Sequence, residues 1–379
     1  MKIVDVRALP CDGGYRPWLF VKVVTDEGLV GWGNVQAWHA DVSRRCFDVE
    51  CLSHKVLLGE NPFNIEKLWQ RMYSYGGRDV VAAISGIEAA LWDIVGKSLG
   101  VPVYKLIGGS CQEGVKLYWS HCGILPSVRY GKMKVTYESL AEDAKKSVRE
   151  GFKIIKTNIH HLTEGPETPR GLNGSLSATH IRDAVMVMKT IREAVGPDVC
   201  VALDVNGTDV PSSVKLASAI DRYDVFWLED PTPYPIDVGS LVKLREKIKI
   251  PICVGETLST IYEFKTLLES RAVDVIEPDL DFCGGVFQAK KIAAMAEAYR
   301  VPIAPHNCGS PLGTIISGHV CITLPNFLAL EFEGNDVPWR DDVLSEPLKV
   351  KSGFLELSDK PGFGVEIDEE EIARHPLEK

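Results

Sequence analysis

No run of 18 uncharged apolar residues occurs in the 379-residue sequence, so it offers no helix able to span a membrane. An excess of basic charge is also missing. Lys and Arg number 42 against 52 Asp and Glu, a net charge of −10, which argues against a nucleic-acid surface. Small anionic substrates stay open, because a local cleft can be positive in an acidic chain. There are 10 cysteines but no Cys-x-x-Cys pair, and Cys200, Cys253 and Cys321 lie inside apolar runs. They read as buried free thiols of a reducing compartment. The start, Met1-Lys2-Ile3-Val4-Asp5, is charged at once and lacks the apolar region of a signal peptide, so a cytoplasmic protein is expected. Low-complexity linkers and 20–50-residue repeats are absent. What remains is ordinary globular composition, 45% apolar and 25% charged.

The first ~110 residues have an α+β texture. Leu19 to Val24 and Leu29 to Trp32 are apolar runs separated by Thr25-Asp26-Glu27-Gly28, a hairpin signal. Helical periodicity runs from about Val80 to Leu99 and is stopped by Gly100 and Pro102. From about Val115 the pattern changes to short β-rich runs alternating with amphipathic stretches. The runs are Val115–Trp119, Ile154–Asn158, Val199–Asp204, Val225–Glu229, Ile252–Glu256, Val273–Asp279, Ile303–His306 and Phe327–Glu331. Helices read clearly at Ala184 to Ala194, Ser213 to Ile220, Ile261 to Leu268 and Gln288 to Tyr299. Eight such units predict an α/β fold, a (β/α)8-type barrel modified in its last unit. The expected organisation is an N-terminal α+β capping domain over 1–112 and a barrel over 113–342. A tail over 343–379 is expected to pack back on the cap.

Charges fall at the ends of these runs. In chain order the terminal polar residues are Lys156, Asp204, Glu229, Glu256, Asp279, His306 and Glu331. From Asp204 onward the gaps are 25, 27, 23, 27 and 25, the pitch of a βα unit. The side chains should therefore meet on the C-terminal rim of the barrel. Carboxylates facing one space repel unless a counter-charge joins them. Asp204, Glu229 and Glu256 come from adjacent strands and offer hard oxygen ligands with no Cys or His at their positions, which suits Mg2+ or Mn2+.

The set Asp204 in VALDVNG, Glu229 in WLEDP and Glu256 in VGET resembles the metal-ligand trio of the enolase superfamily. Asp279 in EPD, His306 in APHN and Glu331 in LALEFE resemble its mandelate racemase subgroup, as does the stretch Ser85 to Gly109 of the capping domain. The resemblance covers nearly the whole chain. It implies an enzyme that removes the proton α to a carboxylate and stabilises the enediolate with Mg2+, without an organic cofactor. Lys156 would add positive charge at the substrate carboxylate, and Glu331, if protonated, would donate to its other oxygen. His306 is the natural base and Asp279 its orienting partner.

The racemase pattern carries Lys-x-Lys on the second strand, whereas this chain has Lys156-Thr157-Asn158. Asn158 takes no proton, so the strict racemase reading lacks its second base. His306 alone serves abstraction followed by loss of a β-hydroxyl, the dehydration of an aldonate or aldarate to a 2-keto-3-deoxy acid. Lys-x-Asn is similar to what some acid-sugar dehydratases of the group carry. A racemase, epimerase or cycloisomerase acting through the same enediolate is the alternative. Several dehydratases place a His two residues after the first metal ligand; here that residue is Asn206, resembling the racemase-type Asn that contacts the 2-hydroxyl. The donor to the departing hydroxyl is left open: His306 itself or another residue, with His160, His161 and His121 as candidates that also read as loop or strand-end residues. Substrate contacts are expected from Asn158, Asn206 and the capping loops, in which Tyr15, Arg16, Trp18 and Trp38-His39 stand. Gly284-Gly285 reads as a tight βα turn. The resemblance implies a homo-oligomer, with a small sugar acid and neither nucleic acid nor membrane as partner.

Overall fold

β-Branched and aromatic runs build the N-terminal sheet. β1 (Ile3–Cys11), β2 (Trp18–Thr25) and β3 (Val30–Asn34) pair antiparallel in the order β1-β2-β3. The computed structural model describes all residues except 15, 38–40, 124–134, 159–173, 335 and 378–379. Helices α1 (Val42–Leu52), α2 (Ile65–Gly76) and α3 (Val81–Leu99) complete the cap. α3 is buried almost all round and ends at Gly100 in the left-handed conformation, φ 68°. It lies directly on β3 because β3 has glycines where side chains would intrude. A Cβ at Gly33 would stand 1.8 Å from the Gly86 carbonyl oxygen, and one at Gly31 2.1 Å from that of Ala90.

β4 (Val115–Trp119), β5 (Ile154–Asn158), β6 (Cys200–Asp204), β7 (Val225–Glu229), β8 (Ile252–Val254) and β9 (Val275–Ile276) then pair in parallel, each with the next. The seventh position is reduced to Ile303, bridging Ile276 and Phe327, and β10 (Leu330–Phe332) closes the ring on β4. The expected barrel is therefore present. Helices follow the first seven positions, from Tyr137–Arg149 to Pro311–Cys321. After β10 the chain instead forms a hairpin, β11 (Val350–Lys351) and β12 (Phe354–Leu355), that pairs antiparallel with β4. The tail also touches the cap. Glu366 accepts from Trp32 Nε1 at 2.7 Å, and buried Asp93 of α3 accepts from the Trp32 and Phe363 backbone amides at 3.0 and 2.8 Å.

The cap also reaches the barrel's helices. The carboxylate of Glu88 on α3 accepts the Val286 and Phe287 amides at 2.7 and 3.0 Å, filling the N-terminus of helix Val286–Ala298. Gly285, φ 92°, lets it in, since a Cβ there would lie 2.3 Å from Glu88 Oε2. The Gly284-Gly285 pair is thus the tight turn expected, already occupied by a protein carboxylate.

His319 gives the fold a pH dependence. On helix Pro311–Cys321 it is fully buried, accepts the Tyr104 amide on Nδ1 at 3.2 Å and meets Phe363 edge-on at 5.2 Å. Burial pushes its imidazole down to about 3. Below about pH 6.5 the unfolded chain takes up this proton and the folded one refuses it, so the stabilisation present above 6.5 is lost as pH falls. The wild type should lose up to about 1.4 kcal/mol per pH unit from this one residue between pH 6.5 and 3. His319→Gln, which keeps an acceptor but does not titrate, should flatten that part of the slope in urea unfolding measured from pH 7 to 4. Parallel wild-type and variant slopes would refute the assignment.

Candidate active site

Alternation along the strands stacks the barrel interior in layers. Tyr118, Ile154, Ala202, Trp227, Cys253, Val275, Ala304 and Ala329, one from each strand position, form a buried apolar plug. Two residues further along each strand, the next inward layer is polar. It comprises Ser120, Lys156, Asp204 and Glu229, then Glu277, His306 and Glu331, with Gly255 the only member lacking a side chain. A charged layer on an apolar floor is stable only if its members pair.

Lys156, fully enclosed, sits between two carboxylates. Its Nζ contacts Glu229 Oε1 and lies 2.8 Å from Glu331 Oε1, and 5.5 Å from the centre of the Tyr118 ring. Burial alone would lower this ammonium, but Glu229 and Glu331 more than offset that and hold it well above its ordinary value. Glu331 also accepts from Ser120 Oγ and the Asn307 amide. The expectation of a protonated Glu331 is corrected here. Burial pushes its carboxyl up, yet Lys156, His306 and His121 together hold it well below the carboxylate range. This setting favours the ionised, accepting form of Glu331.

His306, 2% exposed, lies 2.8 Å by Nδ1 from Asp279 Oδ2, and by Nε2 3.2 Å from Glu256 Oε2 and 3.7 Å from Glu331 Oε2. Asp279 is fixed from two further sides, by Gln36 Nε2 at 2.9 Å and the Asp281 amide at 2.8 Å. Gln36 belongs to the cap, so the cap itself orients the dyad. Burial would lower the His306 imidazole, but the surrounding acids raise it well above its usual value.

Asp204 and Glu229 are register partners across β6 and β7, and Asn158 pairs with Asp204 across β5 and β6. Asp204 Oδ1 accepts the Asn206 amide at 2.7 Å, with Asn206 in the left-handed region, φ 47°. Glu229 Oε2 accepts from Trp227 Nε1 at 2.9 Å. Asp204, Glu229 and Glu256 share one rim, but Glu229 is turned to Lys156 and Glu256 to His306. Among the described residues, the trio is not one of the groups whose ligand atoms all lie within 4.8 Å of one another. The donor chemistry nevertheless fits a divalent cation. Burial raises all three carboxyls, and neighbouring carboxylates raise them further. Glu277, at 0% exposure, has neither oxygen partnered and lies near Glu229. Burial first, then Glu229 and Asp230, push the Glu277 carboxyl well above its ordinary value, so it is not a further full negative charge in the layer.

The remaining candidates are scattered. Asn158 is buried with Oδ1 unpartnered. His121, at the end of β4's run, pairs by Nδ1 with Glu333 of the β10 exit. Arg16 donates to the Cys308 carbonyl at 3.0 Å. Trp18 is 2% exposed in the hydrophobic core, edge-on to Phe20 with Arg340 over its ring, so its role there is packing. His160, His161, Tyr15 and Trp38-His39 lie outside the described residues. An apolar groove of about 670 Å³ is lined by Arg78, Tyr234, Ile236 and Leu258, and the Tyr234 hydroxyl lies 3.4 Å from Glu256 Oε1.

A family model described as enolase C-terminal domain-like matches residues 139–371, and the mandelate racemase/muconate lactonizing enzyme N-terminal domain matches 14–108. The chain belongs to the mandelate racemase/muconate lactonizing enzyme family of the enolase superfamily. Among its relatives, a D-xylonate dehydratase of Haloferax volcanii is 36% identical, covering 100% of this chain and 89% of that protein. A D-galactonate dehydratase of Pectobacterium atrosepticum is 32% identical over 93% of this chain and 89% of that protein. In structure, a mandelate racemase/muconate lactonizing enzyme-like protein from Rubrobacter xylanophilus superposes with a TM-score of 0.90 at 35% identity, covering 100% of this chain and 98% of the other. Membership explains why the polar layer and the cap occur together. In this mandelate racemase-type chain the cap is fastened to the layer by Gln36 to Asp279, and by Asn34, which bonds both Asp281 and Ser310.

Proposed function

We propose that the protein is a Mg2+-dependent sugar-acid dehydratase, converting an aldonate or aldarate to a 2-keto-3-deoxy acid. The observation that carries it is the His306–Asp279 dyad set in the polar layer beside Lys156, with Asn158 where a second base would stand. Relatives named for D-xylonate and D-galactonate dehydration point the same way.

Asp204, Glu229 and Glu256 would hold the divalent ion, which supplies Lewis-acid stabilisation of negative charge on the substrate carboxylate. Lys156 adds a fixed positive charge to the same side of the layer and is itself held by Glu331. His306 must be neutral to act as base. The acids around it oppose that, so charge compensation at Glu256, 3.2 Å away, belongs to the working state. Asp279 fixes Nδ1 as the donor, leaving Nε2 to take the C2 proton. Loss of the C3 hydroxyl follows, and the enol ketonises. Arg16 and the capping loops would meet the distal end of the substrate.

The test is a library of aldonates and aldarates with Mg2+, read by semicarbazide for 2-keto acids, with D-xylonate and D-galactonate included. A 2-keto product from one or a few acids is expected. Deuterium entering C2 from D2O without any 2-keto acid would point instead to an epimerase or racemase.

A further inference from the structure

Dehydration needs two proton transfers, and the dyad described above accounts for one. Lys156 is a poor donor, being held as an ammonium between two carboxylates. A second imidazole stands nearby with the same arrangement as the first. His121 Nδ1 pairs with the carboxylate of Glu333, itself 2% exposed, and lies 3.0 Å from Ser120 Oγ. A ring nitrogen of His121, the Cys308 thiol and a Glu333 oxygen lie within 4.8 Å of one another. A ring nitrogen of His306, the same thiol and a Glu331 oxygen do so too. Two histidines, each with its own carboxylate, thus flank one thiol at the end of the barrel where the polar layer lies. His121 lies in the left-handed region, φ 51°, at the turn that follows β4. A buried ion pair kept for stability alone would gain nothing over apolar packing of the same volume.

Building on the dehydratase reading, we propose that His121, oriented by Glu333, is the second acid–base residue of the site and protonates the hydroxyl that leaves C3. His306 takes the C2 proton, and the C2–H electron pair passes into the enediolate. As the C2=C3 bond forms, the C3–O bond breaks, and the oxygen receives the proton of His121 and departs as water. In ketonisation the proton on His306 passes to C3 and the enol hydroxyl proton returns to His121, so both histidines are reset with no oxidant or reductant. The groups facing His121 are the adjoining Ser120, Glu331 from β10, Glu333 just after it, Cys308 after the seventh position, and Asp204 at the end of β6. Burial alone would lower its imidazole, but Glu333 and Cys308 bring it up to about 10, which keeps it a proton donor at neutral pH.

The test uses the full-length enzyme with Mg2+, the acid turned over fastest in the screen above, and its 3-deoxy-3-fluoro analogue. His121→Asn should lower 2-keto acid formation by about 10^2–10^4-fold. It should keep C2–H exchange in D2O within a few-fold and keep fluoride release, because fluoride leaves without a proton. Glu333→Gln should lower dehydration less and move the alkaline limb of the rate profile to lower pH, since the imidazolium loses the carboxylate that raises it. His121→Asn with an unimpaired dehydration rate overturns the proposal alone. So does loss of C2 exchange and fluoride release together with dehydration in a variant whose circular dichroism and melting match wild type, as that marks a scaffolding residue. A wild type that exchanges C2–H yet makes no 2-keto acid from any acid overturns the dehydratase reading and this proposal with it.

Discussion

His306→Asn is expected to lower 2-keto acid formation by about 10^3–10^4-fold and to abolish C2–H exchange in D2O with it. The two readouts fall together because the same nitrogen starts both. Nδ1 is committed to Asp279 at 2.8 Å, so Nε2 is the atom left to accept a proton. Folding should survive. Asp279 keeps Gln36 and the Asp281 amide after the imidazole is gone, and asparagine is smaller than histidine. Asp279→Asn acts one step back. It leaves His306 in place but removes the acceptor that sets its tautomer, so its loss of rate should be smaller and accompanied by a changed pH profile. A His306→Asn variant that still exchanges C2–H at the wild-type rate would mean that the base lies elsewhere in the layer.

What the sequence reveals of this site depends on how far each contact travels. Lys156, Asp204, Glu229, His306 and Glu331 are legible because a polar residue interrupts an apolar run at βα pitch, a local signal. The barrel is legible for the same reason. Two of the eight runs shrink to little more than a bridge at Val275–Ile276 and Ile303, yet the alternation still marks their positions. The helix Pro311–Cys321 has no readable stripe because every residue in it is buried, so no polar face marks its turns. Tyr137–Arg149, by contrast, is amphipathic, with Leu140, Ala144 and Ser147 buried.

Glu277 and Glu333 show a different loss. Both hold inward positions by the period of two, Glu277 two residues before Asp279 and Glu333 two after Glu331. Reading only the last polar residue of each run passes over them. Gln36 carries no local signal at all. Its partner Asp279 is 243 residues away, and only the docking of cap on barrel brings them together. Trp18 is expected among the substrate contacts because its loop resembles a capping loop, whereas its side chain is buried in the core.

Adding Mg2+ to metal-stripped protein is expected to raise its melting temperature, and Asp204→Asn to erase that response together with at least about 10^3-fold of the activity. The sign follows from the carboxyls. Burial and mutual repulsion raise Asp204, Glu229 and Glu256 above their ordinary values, so in the ion-free fold these groups bind protons more tightly than in the unfolded chain. Their contribution is then most favourable below about pH 4 and is lost as pH rises through the raised values. A divalent ion competes with those protons, so its stabilisation should grow from pH 5 to 8, reaching about 2.7 kcal/mol when free Mg2+ is a hundredfold above its dissociation constant. Asp204→Asn removes one ligand and one repelling charge at once. The ion-free variant should therefore be at least as stable as ion-free wild type while being unable to respond to the metal, a combination that mere damage to the fold does not produce. Thermal melts with and without EDTA at three pH values, alongside turnover of the same samples, decide it. Full activity after exhaustive chelation, or a Mg2+ shift that persists in Asp204→Asn, would remove the trio from the ion's coordination.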